Sequence, residues 1–273
     1  MAKIIYEPRG AAREYSPLAA NLYRGCAHAC KYCYAPGVLR LKRERFAVGS
    51  PRPGVIDKLK VETAVMSVRG DHRAVLLCFT SDPYQPIEAE HHLARQTLEL
   101  FAANNIASRV LTKNSLARQD FDLMKRAGTE FGVSLVWTND DDRLEWEPYS
   151  SSVKARLDML AEARSMGLRT WVSMEPVIDP AQALDLIGIL SGQVDMIKVG
   201  KLNHFKSDVD WRAFTTDAIA MLRDGEQSYY IKDDLWRASG LAPTNSGPDS
   251  IKTFGVAPEM VAPQAKAEPS LWT

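Results

Sequence analysis

Residues 74–88 read AVLLCFTSDPYQPIE. Six largely apolar residues, the pattern of a strand, give way at Thr80 to a polar turn, and Ser-Asp-Pro is good turn chemistry. A helical pattern follows at 91–103. The unit then begins again with ASRVL at 107–111, a polar TKN and a helical pattern at 116–127. Further apolar runs stand at 133–138 (VSLVWT), 169–174 (RTWVSM), 195–199 (DMIKV) and 228–231 (SYYI). An earlier run at 18–23 leads into a cysteine-rich loop. Most of these runs are apolar at successive positions, as parallel strands covered by helices would be. They recur about every 25–35 residues, the spacing of repeated βα units.

The intervening helices carry their own signals. Ser150, Ser151 and Ser152 precede a stripe of Val153, Leu157, Leu160 and Ala161, and Gly167 closes it. Asp179 and Pro180 open the next helix as N-cap and first-turn proline, with Leu184, Ile187 and Leu190 on its apolar face. A pattern over 208–223 completes the alternation. Such an alternation gives an open doubly wound sheet or a (β/α) barrel. No Gly-x-Gly-x-x-Gly follows the first strand, which disfavours the dinucleotide-binding version. The expected fold is therefore α/β, a partial (β/α)6 TIM-type barrel over 1–240. A C-terminal extension over 241–273, rich in Pro, Ala and Ser, is expected to pack on and end as a partly disordered tail. In such barrels the chemistry sits at the C-terminal ends of the strands.

Lys+Arg and Asp+Glu both number 34, so the chain carries no net charge. That argues against an unspecific polyanion binder and leaves room for a local basic patch. One candidate is Arg40, Lys42, Arg43 and Arg45, in a long connection over 34–54. It reads as a phosphate-contacting surface or as a solvated helix face. The opening MAKIIYEPRG lacks the apolar run of a signal peptide, and no stretch approaches a membrane helix in length. A cytoplasmic location with reduced thiols and no membrane contact is expected.

Three of the four cysteines, Cys26, Cys30 and Cys33, fall within RGCAHACKYCYAP at 24–36. In a reducing compartment a tight C-x3-C-x2-C cluster reads as metal or catalysis before disulfide. Thiolates are soft ligands, suited to zinc or to iron–sulfur clusters. A structural zinc site takes four protein ligands. His28 would have to bend back between two cysteines to be the fourth, and Cys78 would have to come from a strand. A four-iron cluster held by three cysteines would keep one iron open, as a catalytic site requires.

CAHACKYC, with Tyr32 just before the last cysteine and Tyr34 just after it, resembles the radical S-adenosylmethionine (SAM) superfamily. The resemblance implies a [4Fe–4S] cluster on Cys26, Cys30 and Cys33, and SAM chelated to the open iron. It further implies one-electron cleavage of SAM to a radical that abstracts hydrogen from a substrate, with a flavodoxin or ferredoxin type of electron donor. TSDPYQPIE, LTKN, VSLVWTNDDD and Glu147–Pro148 are similar to the branch that holds spore photoproduct lyase and the proteins called DNA repair photolyases. By that resemblance Ser81 and Asp82, with Thr80, meet the SAM amino group. Lys113 meets the SAM carboxylate, and Tyr32 and Tyr34 pack near the cluster and SAM. The lyase's ribose-contacting serine aligns with Val136, leaving Thr138 nearby as the candidate.

The lyase has a cysteine immediately before Thr-Ser-Asp that returns a hydrogen atom to the product. That slot is Phe79 here, and Cys78 lies one residue earlier. A one-residue step on a strand turns a side chain to the opposite face, so Cys78 is expected to be a buried core thiol. True spore photoproduct lyase activity is accordingly not expected. Glu175, Lys198, Lys201, Asn203, Lys232 and Asp233 stand at or beyond late strand ends and are expected at the barrel mouth. Glu175 is a candidate SAM-ribose or substrate contact, and Lys198, Lys201 and Asn203 are candidate substrate contacts. His204 and Trp137 are weaker ones. The expected function is a radical SAM enzyme acting on a nucleobase or nucleotide, in DNA repair or base modification. The competing readings are radical chemistry on a peptide or small metabolite, and a non-enzymatic zinc or iron–sulfur binding module.

Overall fold

The computed structural model describes residues 3–244. Two short strands, β1 (Ile5–Tyr6) and β2 (Leu18–Ala20), lead to a small antiparallel pair, β3 (Tyr23–Arg24) and β4 (Ser50–Pro51), which flanks the cysteine loop. Six further strands follow: β5 (Val75–Leu77), β6 (Ser108–Thr112), β7 (Glu130–Ser134), β8 (Thr170–Val177), β9 (Met196–Lys201) and β10 (Tyr229–Ile231). The main sheet has the order β1-β2-β5-β6-β7-β8-β9-β10. β1 is antiparallel to β2, and every other neighbouring pair is parallel. The expected partial barrel is present, with β2 as a further parallel strand, and the sheet is open between β1 and β10.

Alternation along the strands separates two environments. Val75, Leu77, Val110, Phe131, Val133, Val172, Met174, Ile197, Val199, Tyr229 and Ile231 join the large core shared with the helices. The alternate positions face inward. Ala19, Leu76, Trp171, Met196 and Tyr230 form a separate inner cluster with Tyr15. Buried Arg109, Glu130, Ser134, Ser173 and Lys198 share that inner phase. Tyr15, just before β2, reaches several strands across the interior. Its hydroxyl shares a hydrogen bond with Ser173 of β8 at 2.9 Å, and its carbonyl accepts from Arg109 of β6 at 2.6 Å. The sheet therefore curls round Tyr15.

The helices start where their caps predict. Ser152 accepts the Ala155 N–H at 3.1 Å, and Asp179 accepts those of Ala181 and Gln182. The helices Val153–Ser165 and Pro180–Leu190 follow. The run expected as a strand at 133–138 is displaced. β7 begins at Glu130 and ends at Ser134, and buried Leu135, Val136 and Trp137 continue as non-strand chain. A polar first residue and an apolar sequel outside the ladder account for the shift. On the open edge, the Glu62 carboxylate accepts the N–H groups of Ile4 and Ile5 at 2.7–3.1 Å. No helix among the described residues is long and apolar enough to cross a membrane. Of the expected C-terminal extension, 245–273 lies outside the described residues.

Candidate active site

The cysteine loop leaves β3 through Gly25, whose φ of 86° suits glycine. A Cβ there would stand 2.5 Å from the Phe46 carbonyl oxygen. Cys26 N–H donates to that same carbonyl at 2.8 Å. The loop is held from outside by Gln85 of the DPYQ turn, which accepts from the Ala27 N–H at 2.9 Å and donates to the Gly25 carbonyl at 3.2 Å. Gln85 is fully buried. Lys31 N–H adds a bond to the Trp146 carbonyl at 2.9 Å. Three separated segments thus fix the loop that carries Cys26, Cys30 and Cys33.

These cysteines line a cavity of about 400 Å³ at the C-terminal ends of the strands. They are free thiols, two buried and Cys33 half-buried. Burial pushes all three upward, Cys30 to about 12, and charge repulsion between Cys26 and Cys30 adds to it. A cationic metal centre would reverse this balance, since thiolates are the ligating form. Among the described residues no three His, Cys, Asp or Glu side chains are gathered round a point where they could hold a single ion. His28 is turned elsewhere. Its Nδ1 lies 2.9 Å from the Tyr149 carbonyl and its Nε2 lies 3.2 Å from Asp82 Oδ2. The loop's donor set is three soft thiols, and its own histidine is engaged away from them. It fits an iron–sulfur cluster with an open iron better than a closed zinc site.

Thr80, Ser81 and Asp82 also line the cavity, with Asp82 close to the cysteine loop through His28. Asp82 is already occupied. Its Oδ1 accepts from Tyr84 N–H and Thr112 Oγ1 at 2.8 and 2.7 Å, and its Oδ2 accepts from Lys113 N–H at 2.7 Å and faces His28. Burial pushes its carboxyl up, but His28 and these donors outweigh that and hold it below the usual range. The Thr80 hydroxyl oxygen is buried without a hydrogen-bond partner, and the buried Ser81 hydroxyl has only the Cys78 thiol beside it. Such groups are costly unless something else meets them.

Cys78 is a buried thiol of the large core, as expected, and it also lines the cavity with Phe79. β5 ends at Leu77 and Cys78 takes φ 61°, so strand alternation no longer dictates its direction. Its thiol is still buried, and burial pushes it up to about 12.

Lys113 also lines the cavity and donates to Ser134 Oγ at 2.8 Å. Burial lowers its pKa, but neighbouring Glu147 and Cys30 outweigh this and raise it. Behind it, Tyr32 donates to Glu147, which pairs with Arg156. Glu147 and Arg156 are both fully buried. Tyr34 lines the cavity, and its hydroxyl donates to the Phe79 carbonyl at 3.3 Å.

The far wall is built by Glu175 and Lys232. Lys232 Nζ donates to both Glu175 oxygens at 2.7–2.8 Å and lies 3.4 Å from Glu14. Tyr15 donates to Glu175 as well. Burial lowers the Lys232 pKa, but Glu175 and Glu14 outweigh it and raise it. The pair has room because residue 200 is glycine. A Cβ there would stand 2.8 Å from Lys232 Cδ and 3.0 Å from Glu175 Cδ. Gly200→Ala should therefore lower stability by about 1–3 kcal/mol through overpacking, read as a fall in thermal midpoint, with Glu175 displaced into the cavity.

The other expected residues divide. Lys201, Asn203 and His204 line the cavity. Asn203 is held by Asp234, and the Asp233 N–H donates to Glu14 at 2.8 Å. Lys198 does not line it. It is buried below, with Nζ 4.3 Å from the Trp171 ring centre and 5.2 Å from that of Tyr15, because its strand position faces the packed interior. Thr138 lies off the cavity too, bonded through its N–H and hydroxyl to Gln182. With β7 ending at Ser134, the serine at the strand end is Ser134 and not the 136–138 region. Trp137 is buried against Trp146. Glu14 and Tyr15 carry no local sequence signal that marks them for the site, whereas His28, Gln85 and Ser134 lie inside the motifs quoted above without their roles being legible there.

A family model for the radical SAM superfamily matches residues 20–183. An uncharacterised protein of Methanocaldococcus jannaschii is 29% identical over 165 residues, covering 58% of this chain and 59% of that one. A protein of Pseudomonas phage M6 named a radical SAM Nalpha-GlyT isomerase is 27% identical over 154 residues, 56% of this chain and 31% of that one. The chain thus spans less than two thirds of these curated relatives. Among solved structures, a mutant spore photoproduct lyase with bound SAM and dinucleoside spore photoproduct superposes with a TM-score of 0.66 at 15% identity. That match covers 81% of this chain and 78% of the lyase, and it establishes likeness of fold.

Proposed function

Because this chain belongs to the radical SAM superfamily, we propose that it holds a four-iron cluster on Cys26, Cys30 and Cys33, binds SAM beside it, and acts on a nucleobase or nucleotide. The observation that carries this reading is the convergence on one cavity of the three loop thiols and the buried hydroxyls of Thr80 and Ser81. When bound, the cluster would supply the electron that splits SAM into methionine and a hydrogen-abstracting 5′-deoxyadenosyl radical. A low-potential carrier of the flavodoxin or ferredoxin type would provide that electron.

The residues divide the work of binding SAM. Thr80 and Ser81 offer their oxygens to the ammonium group. Asp82 stands behind them, fixing the turn and lending negative charge. Lys113 takes the carboxylate, and Ser134 and Glu175 are the candidates for the ribose hydroxyls. Tyr32 and Tyr34 wall the cluster side. The nucleobase reading is supported by the fold shared with a lyase that accommodates a dinucleoside. Arg9, Lys201 and His204, which also line the cavity, add to it. A base from a duplex would have to be flipped out to enter.

The test is anaerobic reconstitution with iron and sulfide, then SAM and dithionite. Release of 5′-deoxyadenosine is expected, and a reconstituted protein that makes none would overturn the reading. The substrate class is tested with deuterated oligonucleotides and nucleotides. Deuterium should appear in 5′-deoxyadenosine, and no transfer from any of them would rule the class out.

A further inference from the structure

The chain as a whole is neutral, but its charges are not evenly spread. Arg24, Lys31, Arg40, Lys42, Arg43 and Arg45 all fall in the stretch around the cysteine loop, where Glu44 is the one acidic residue. All six cations are exposed. Of these, Lys31 is paired, with Glu145 at 3.1 Å. The Arg43 guanidinium rests on the cysteine loop, donating to the carbonyls of Cys33 and Cys30 at 3.2 and 3.4 Å. Beside it a small cleft of about 220 Å³ is lined by Ala29, Cys30, Lys31, Pro36, Arg43 and Phe46. Cys30 and Phe46 also line the main cavity, whereas Ala29, Lys31, Pro36 and Arg43 line the cleft alone. The basic face and the main cavity therefore approach the same cysteine from different sides.

We propose that this basic face is the docking surface for an acidic one-electron carrier protein, which passes its electron inward through the Cys30 and Arg43 side of the loop. The inference rests on the proposed cluster at Cys26, Cys30 and Cys33. Three observations support it. An electron needs the shortest path through protein to a buried centre, and here the outside reaches Cys30 without crossing the main cavity. A carrier docked on this face leaves the cavity mouth free for SAM and substrate. The surface is also suited to brief encounters, since Val38 and Val48 are exposed among the cations and provide small apolar contacts. Charge complementarity of this kind speeds association and sets orientation without holding the partner long. The short helices Ala35–Val38 and Arg43–Phe46 give the face a fixed shape. A nucleic acid would also be drawn to these cations, but a base reaching the cavity needs contacts at its mouth, and this face lies behind the cysteine loop.

The test uses the full chain, reconstituted anaerobically, with a flavodoxin as probe. Binding is read from the flavin fluorescence at several salt concentrations. Wild-type protein should bind, more weakly as salt rises. Arg40→Glu, Lys42→Glu and Arg45→Glu together should weaken binding at least about tenfold at low salt and flatten its salt dependence. The triple glutamine variant should lie between the two and guards against a folding artefact, with circular dichroism as control. None of the three residues touches the cavity, so 5′-deoxyadenosine formation with dithionite should be unchanged. Equal binding by wild type and the glutamate variant, or no binding by wild type, overturns the proposal. So does a short DNA duplex that loses affinity in the variant while flavodoxin does not. If flavodoxin binding follows the prediction while dithionite yields no 5′-deoxyadenosine, the docking surface stands and the proposed SAM chemistry falls.

Discussion

If Cys30 is a ligand of the proposed four-iron cluster, Cys30→Ala should abolish the cluster and, with it, all SAM cleavage: that is the largest effect expected of any single substitution. Cys30 stands between the other two loop cysteines in sequence and is buried at the cavity wall. With two thiols left, a cluster would be open at two irons and unprotected from loss. Iron and sulfide retained after desalting should fall to background, and 5′-deoxyadenosine should be undetectable. The fold should survive, because the thiol makes no bond that holds the loop. The loop is held instead by Gln85, by Lys31 N–H on Trp146 and by Cys26 N–H on Phe46. A thermal midpoint close to wild type with no cluster is the expected combination. Full metal content in the variant would remove Cys30 from the ligand set.

Arg156→Met is the second. Arg156 is fully buried, and its guanidinium donates to the carbonyls of Ser151 and Ser134, both at 2.9 Å, besides pairing with Glu147. Methionine fills much of the volume and satisfies none of these groups. Removing one partner of a buried ion pair costs about 3–5 kcal/mol, here a large fall in the denaturation midpoint. The loss should depend on pH in a defined direction. In the wild type, burial pushes Glu147 up, but Arg156 and Lys113 hold it below the ordinary range. Its contribution is thus present above the unfolded value of about 4.3 and lost as pH falls through the lower folded value. Without Arg156 the carboxyl shifts up instead and resists ionising. The deficit should then be smallest in acid, grow as pH rises through the lowered folded value of the wild type, and grow further past about 4.3. Adding Glu147→Gln should recover part of it at neutral pH, since an amide can sit beside Tyr32 without a charge. A deficit that did not change with pH would locate the damage in packing, not in the charge.

Much of the architecture was legible in the sequence because the outward strand positions are apolar and the helix caps are explicit. The inward positions were harder. Arg109, Glu130 and Lys198 are long charged side chains inside strands, and a run containing them looks interrupted. Glu130 concealed the start of β7, while Leu135, Val136 and Trp137 extended it falsely, and this carried the ribose candidate from Ser134 to Thr138. The three cysteines were legible because their spacing is local. The groups that hold and complete the site are not local. Tyr15 meets Ser173 across 158 residues, and Tyr230 meets Glu14 across 216. Cys78 needed a backbone angle that no residue pattern announces.

An unclosed barrel has a cost that a closed one avoids, because each free edge is a row of donors and acceptors on which another chain can add a strand. On the β1 side this chain has little to offer. The edge strand is two residues long, and the Glu62 carboxylate already takes the N–H groups of Ile4 and Ile5. The charge also repels an incoming backbone carbonyl. The β1 edge can thus remain unpaired without inviting strand addition, with Glu62 as its guard.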